Sequence, residues 1–352
     1  MIEALLGTLG TAGTIAVGLG TLTLIVVAHE LGHFAAARLL GIRVLEFAVG
    51  FPPHLLRRRS AGTTFTLNLF PIGGYLRMLG ETGGSAGSAP DSFAAQPVWG
   101  RLLVLAAGPL ANVLAGFGFL LVAALLFAPV GTRVTAVDPG SPAAQAGIQA
   151  GDRILILDER DGILPAEFSS VVADRTGDRL QLVLERSGRQ FRVAAVPRAD
   201  PPPGQGPLGL HINYVRGPDL SGRALSRALI QTGEAITLLP RYTAGALAGE
   251  GQINLTGVVG ILDTFGQATL LGPALVLGLA GSISIQVALF NLLPWPVLDG
   301  GRMTLILIEV ARGRRISPEA EKALQVASMA ALLILVVVVT AADISRIAGG
   351  GP

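Results

Sequence analysis

The chain has 352 residues, 51% of them hydrophobic and only 14% charged, with a formal net charge of +2 and a mean hydropathy of +0.60. So apolar a composition excludes an ordinary soluble domain, and the lack of cysteine excludes disulfides and thiolate metal sites. The basic excess is arginine, with Lys322 the single lysine, and no dense basic run with interleaved aromatics points to nucleic acid.

The first element is a run from Ala4 to Ala28 without an ionisable side chain, longer than the roughly 18 residues that mark a membrane span. The chain opens Met1-Ile2-Glu3, without the basic region of a signal peptide, which predicts a retained helix. At its end stands HELGH, residues 29 to 33. His29 and His33 are one helical turn apart, so their imidazoles differ by about 40° around the axis and can ligate one ion. Glu30 can reach a water that zinc would acidify toward a pKa near 7. Ala28, Gly32, Ala35 and Ala36 leave room for a neighbouring helix. Ionisable groups at the edge of a bilayer need partners and point to function rather than packing. His54 and His211 lie in loop-like surroundings and read as solvated residues.

Phe65, Leu67 and Leu69 alternate with Thr66, Asn68 and Phe70, a strand period, before Pro71 and Gly73-Gly74 are expected to turn the chain. A second charge-free run covers Leu102 to Thr132. Residues 131–200 differ in kind: β-rich runs at Arg153–Leu157 and Leu180–Glu185 alternate with turn clusters, and Pro142–Gly147 reads as a short helix. PPPGQGP, residues 201–207, reads as a stiff boundary. Leu220 to Leu247 is mildly amphipathic, and Arg227 and Glu234 favour a helix on the membrane surface over a span.

A third run, Thr264 to Leu298, holds 35 uncharged residues and ends in NLLPWPVLDGGR. Pro294 and Pro296 break the helix and Gly300-Gly301 free the backbone, so Asp299 is expected on an unwound segment facing a cavity. A hydrolytic zinc site needs a third protein ligand, and Asp299 is the candidate; the alternative is the first residue of a loop. Ala323 to Ala342 makes a fourth span. Short-loop arginines lie between spans one and two and between three and four, which predicts that these loops are cytoplasmic and the termini and residues 133–263 extracytoplasmic. His29, His33 and Asp299 then share one depth near the inner ends of two spans.

With HELGH and NLLPWPVLDG, the chain resembles a site-2 protease, an intramembrane zinc metalloprotease of the bacterial regulated-proteolysis type. The resemblance implies Zn²⁺ held by His29, His33 and Asp299, water activated by Glu30, and Asn291 binding substrate or the oxyanion, as an amide donor in a dry site can. AAGPLAN, residues 106–112, resembles the family's second-span motif, with Asn112 either a substrate contact or a link between helices. FTLNLFPIGGYLRMLG implies a membrane-associated β-hairpin on whose edge, through Leu67, Leu69, Gly73 and Gly74, a substrate is held unwound. GSPAAQAGIQAGDRI resembles a PDZ domain of the permuted bacterial form, which implies capture of a carboxy-terminal peptide or exclusion of uncut proteins by size. Residues 254–261, NLTGVVGI, depart from the relatives' Ser-Gly-Pro-x-Gly pattern at Val258.

The expected architecture is an α-helical polytopic membrane protein: four transmembrane helices, the β-hairpin and one inserted β-rich PDZ domain. Its parts are 1–130 with spans 1 and 2, 131–200 as the PDZ domain, 201–263 as linker and surface helix, and 264–352 with spans 3 and 4. The expected activity is hydrolysis of a single-pass membrane protein, such as an anti-sigma factor or signal-peptide remnant, after a prior extracytoplasmic cut. The partners are that substrate, the carboxy-terminal peptide and the lipid bilayer. A metal transporter, with ligands spread along several spans, and a PDZ scaffold, indifferent to Glu30, are the alternatives.

Overall fold

The computed structural model describes residues 10–81, 89–219, 222–248 and 256–348. The start of the expected first span (4–9), Leu220 of the expected surface helix, and Asn254 and Leu255 of the NLTGVVGI stretch lie outside them. In chain order the elements are α1 (Thr11–Leu39), β1 (Val44–Ser60), β2 (Thr63–Met78), α2 (Val98–Leu126), β3 (Ala128–Val137), α3 (Pro142–Gln145), β4 (Arg153–Leu157) and β5 (Arg160–Asp161). They continue with α4 (Pro165–Asp174), β6 (Leu180–Arg186), β7 (Arg189–Ala195), β8 (Leu210–Gly217), α5 (Ala224–Leu247), α6 (Val258–Leu271), α7 (Pro273–Asn291), α8 (Asp299–Arg312) and α9 (Pro318–Ala348). Contacts divide the chain into two compact units, residues 1–123 with 226–352 and the inserted 124–225.

In the first unit, four helices among the described residues are long and apolar enough to cross a bilayer: α1, α2, α7 and α9. The 19 residues of α7 rise about 28 Å, close to the thickness of a hydrocarbon core. The third charge-free run is two helices rather than one, because Gly272 takes φ +117° and Pro273 starts α7 without needing an amide partner. Asp343 of α9 closes the start of α6, accepting from the amides of Gly257 and Gly260 at 2.9 Å each. Helix α5 buries Ala228 and Ala235 in a cluster with Leu120 and Ile285, and Gln286 Nε2 donates to the Ala235 carbonyl. One face of α5 thus packs on other helices, more than a surface helix needs.

The β-hairpin turns elsewhere than expected. Ala61 and Gly62, at φ +47° and +82°, make the reversal, a pair of left-handed residues that fits the strand twist. Pro71 and Gly73-Gly74 lie inside β2. The two antiparallel strands fold back on each other: Leu56–Ser60 pairs with Thr63–Leu67 across the turn, and Val44–Val49 pairs with Gly74–Met78. Val49 also neighbours Leu67, so the run around Leu67 is flanked on both sides and Gly74–Met78 has one of its sides unpaired by β1.

The second unit is a six-stranded sheet in the order β7-β6-β4-β3-β8, with β5 on β4. Leu180, Leu182 and Leu184 of β6 alternate inward and are fully buried with Ile154, Leu157 and Phe168. The expected boundary at residue 200 falls short, because β8 pairs with β3 from Ala128↔Gly217 to Val137↔Leu210. The Pro-rich stretch is therefore a loop within the unit.

Asp152, fully buried, accepts from Arg186 Nε at 2.6 Å and Nη2 at 2.7 Å and from the Gln149 amide at 2.9 Å. Burial alone would raise its carboxyl, but the Arg186 guanidinium and that amide hold it below the ordinary carboxylate range. A depressed folded value adds stability that is complete above the unfolded pKa, about 3.9, and is lost as pH falls through the folded value. Protection from hydrogen exchange at Leu182–Leu184, taken relative to the unstructured chain at the same pH, should therefore fall below about pH 4, and Asp152→Asn should be less protected at neutral pH with a flatter dependence on pH.

Candidate metal centre

His29 and His33 lie on α1, whose last turns run between α2 and the hairpin. Gly32 makes the approach possible: a Cβ there would sit 2.2 Å from the Ala107 carbonyl oxygen of α2. This agrees with the small-residue stripe read from the sequence. Counting 1.5 Å per residue, the two histidines lie about 9 and 15 Å inside the Leu39 end of the helix.

Asp299 arrives from the other half of the unit. The chain leaves helix between Leu292 and Leu298, and Asp299 is the first residue of α8, not part of the unwound stretch as expected. The break folds back over that first turn. A Cβ on Gly300 would lie 2.1 Å from the Leu292 carbonyl oxygen, and one on Gly301 1.9 Å from that of Trp295. Only residues without a side chain fit under the break, which explains the paired glycines after the aspartate. Trp295 Nε1 in turn donates to the Ser328 carbonyl of α9.

Three atoms converge. His29 Nε2 and His33 Nε2 are 3.1 Å apart and lie 3.0 and 3.3 Å from Asp299 Oδ2. Both histidines are buried, and among the described residues this is the one group of three such side chains able to hold a metal ion. His33 Nδ1 faces the Val104 carbonyl at 2.7 Å, and a carbonyl only accepts, so Nδ1 carries the proton and the neutral ring presents a lone pair at Nε2. Asp299 Oδ2 is buried with no hydrogen bond donated to it. Two of these atoms, His33 Nε2 and Asp299 Oδ2, are acceptors that face each other at 3.3 Å and repel unless a cation lies between them. Ligands about 2.0–2.1 Å from a tetrahedral zinc stand roughly 3.3 Å apart, so the residues fit that ion.

The surroundings extend this geometry. Asn112 is completely buried, its side-chain amide 3.3 Å from His29 Nδ1 and its backbone carbonyl accepting from Ser284 Oγ. Its expected place among substrate contacts rests on the sequence reading alone, while the structure sets its side chain against the His29 ring. Glu30 is half-buried, and a Cβ on Gly74 would lie 3.6 Å from its Cγ, while Thr23 Oγ1 donates to the Pro71 carbonyl at 2.6 Å. The Pro71–Gly74 stretch of β2 therefore runs along α1 to Glu30. Leu67 and Leu69 have exposed side chains, but the doubly flanked backbone of Leu67 cannot accept another strand. Gly73 and Gly74 lead into the run that can. Asn291 Nδ2 donates to the Val287 carbonyl of its own helix.

Two fastenings were invisible to sequence reading. Arg302, one turn past Asp299, donates to Glu81 Oε1 at 2.7 Å, while Glu81 Oε2 accepts from the amide of Met78, the last residue of β2. Arg101 of α2 pairs with Glu309 of α8 at 3.3 Å. The partners are 221 and 208 residues apart, beyond any local pattern. Gly108 was quoted within AAGPLAN without a role, and a Cβ on it would stand 2.3 Å from His33 Nε2. His54 and His211 are exposed as read but lie on strands β1 and β8 rather than in loops, His54 Nδ1 bonding Asn68 Oδ1 at 2.7 Å and His211 Nε2 bonding Asp138 at 3.1 Å.

A family model described as Peptidase family M50 matches residues 17–335. A Brucella suis protein named zinc metalloprotease is 31% identical over 344 residues, 88% of this chain and 89% of that one. A similarly named protein of Agrobacterium fabrum is 30% identical over 366 residues, 93% and 94% of the two chains. Among solved structures, the PDZ domain of the SdrC-like protein from Listeria monocytogenes is 21% identical with a TM-score of 0.22, covering 24% of this chain and 87% of that one.

Gly108→Ala is expected to strip metal, lowering zinc per protein at least about tenfold, because the added methyl takes the space of the imidazoles. Gly118→Ala, on the same helix with nothing within 4 Å of its Cβ, should keep full zinc by elemental analysis.

Proposed function

Because the chain belongs to peptidase family M50 and is a multi-pass membrane zinc metalloprotease, we propose that it cuts a single-pass membrane protein in or near its transmembrane segment. His29, His33 and Asp299 hold the zinc, and the observation that carries this reading is their convergence within 3.0–3.3 Å. When bound, the ion supplies Lewis acidity for the attacking water and the scissile carbonyl. A transporter would instead spread such groups along a path.

The chain's own residues do the remaining work. Glu30, one residue from the first ligand, takes the proton of the attacking water and returns it to the leaving nitrogen. The Gly74–Met78 run offers its free edge to a substrate strand, so that the scissile stretch is held extended beside Glu30. A helical substrate resists cleavage because its amides are already bonded and its carbonyls shielded, and strand addition removes that protection. Asn291, freed from Val287, is the amide donor for substrate or oxyanion. Asn112 holds the His29 ring: its amide nitrogen lies 3.3 Å from Nδ1, and with Nε2 given to the metal Nδ1 would carry a proton, which the amide accepts by turning its oxygen, left without a partner, toward the ring.

The Arg38 end of α1 and the arginines of α8 face the cytoplasm, and the inserted unit is an extracytoplasmic PDZ domain. Its strand β8 is an edge of the sheet, which suits capture of a carboxy-terminal tail left by an earlier cut. An anti-sigma factor or a signal-peptide remnant is the substrate class of this reading.

Glu30→Gln should keep its zinc and lose cleavage of a co-expressed single-pass substrate by about 10²–10⁴-fold, the usual worth of a general base; undiminished cleavage would sink the assignment. Asn112→Leu should weaken zinc binding by about 10–100-fold in chelator competition. An unchanged zinc affinity with a raised KM would return Asn112 to the substrate.

A further inference from the structure

Where α1 ends and the hairpin returns, Arg38, Arg43, Arg59 and Asp91 line a cavity of about 420 Å³ together with the turn at Ala61-Gly62. Three guanidiniums face one carboxylate, an excess of two positive charges. Two of the three are held before any ligand arrives. Arg38 lies over the Phe34 ring at 5.8 Å and donates to the Ala61 carbonyl at 3.3 Å, and Arg43 pairs with Asp91 at 2.6 Å while its side chain stays 59% exposed. Arg38 is nine residues, about 13 Å, from His29, so this cluster is separate from the metal centre.

We propose that this cavity binds the phosphate headgroup of an anionic phospholipid. Position argues for a lipid. The span ends at Leu39, so Arg38 and Arg43 stand at the depth where headgroups begin. The neighbours argue the same: Leu39 is 86% exposed, Leu55 56% and Leu56 67%, with exposed Arg57 and Arg58 following them on β1. Apolar side chains beside guanidiniums match acyl chains beneath phosphates, and a soluble phosphate has no use for the former. Arginine's planar fork gives two donors to each phosphate, with attraction worth about 1 kcal/mol for each basic residue at the surface, a factor of about five. A headgroup seated there pins the end of α1 to the bilayer surface and so fixes the depth of His29 and His33.

The test uses the full chain in nanodiscs of phosphatidylcholine containing phosphatidylglycerol, with native mass spectrometry of retained lipid. The wild type should retain phosphatidylglycerol selectively. R38Q/R43Q/R59Q should lose that preference, about fivefold for each arginine, while zinc content and cleavage in detergent remain. If the triple variant loses its zinc and so fails to fold, R59Q alone decides, with the same fivefold loss expected. Equal retention of the two lipids, selectivity unchanged in the variants, or displacement of phosphatidylglycerol by inorganic phosphate alone would overturn the proposal. None of these readouts depends on which peptide bond the enzyme cuts.

Discussion

Two imidazole nitrogens and a carboxylate oxygen, the acceptors His33 Nε2 and Asp299 Oδ2 among them, are packed within 3.0–3.3 Å of each other in an apolar interior. Such a cluster opposes folding unless a divalent ion neutralises it, so the rest of the membrane unit is arranged to force the approach. Gly32 brings α2 against α1, Gly108 leaves space for the rings, and Gly300-Gly301 let the broken segment lie on the first turn of α8. The Val104 carbonyl fixes the His33 tautomer, an outer partner that makes the ligand nitrogen available. With a metal held there, as proposed, its binding and the packing of these helices would be one event, since each supplies what the other lacks.

The hairpin answers a second demand. Peptide hydrolysis requires an extended substrate, while a membrane segment arrives as a helix because lipid offers its amides no partners. In the proposed reading, a strand edge laid along α1 resolves the conflict by offering replacement hydrogen bonds beside Glu30. Doubling the strands back makes this economical: the run around Leu67 is used up inside the sheet and stiffens it, leaving Gly74–Met78 to present its unpaired side.

Much of this was legible in the sequence for identifiable reasons. Charge-free runs announced the four spans, and the i,i+4 histidines with a distant Asp-Gly-Gly announced the three side chains that converge, because membrane solvation and helical geometry act locally. What escaped was set by tertiary contact. The turn was read at Pro71 and Gly73-Gly74, where composition favours one, yet Gly73 and Gly74 serve close packing on Phe51 and the Ala48 carbonyl while Ala61-Gly62 turns the chain. Strand β8 was hidden behind a Pro-rich stretch that looked like a boundary, since its pairing with β3 joins residues some eighty positions apart. Asn112 was visible as a polar residue in an apolar helix, but only the folded chain gives it the His29 ring.

The carboxylate of Glu81 has two oxygens and two clients: the amide that ends β2 and the arginine that trails Asp299 by one turn. Strand and helix are therefore gauged from a common datum, as machined parts are when errors must not accumulate between them. If a polypeptide is laid on that strand as proposed, a single side chain registers it against the Asp299 turn, so alignment of the scissile bond would be built into the scaffold and need not be found anew for each sequence that enters.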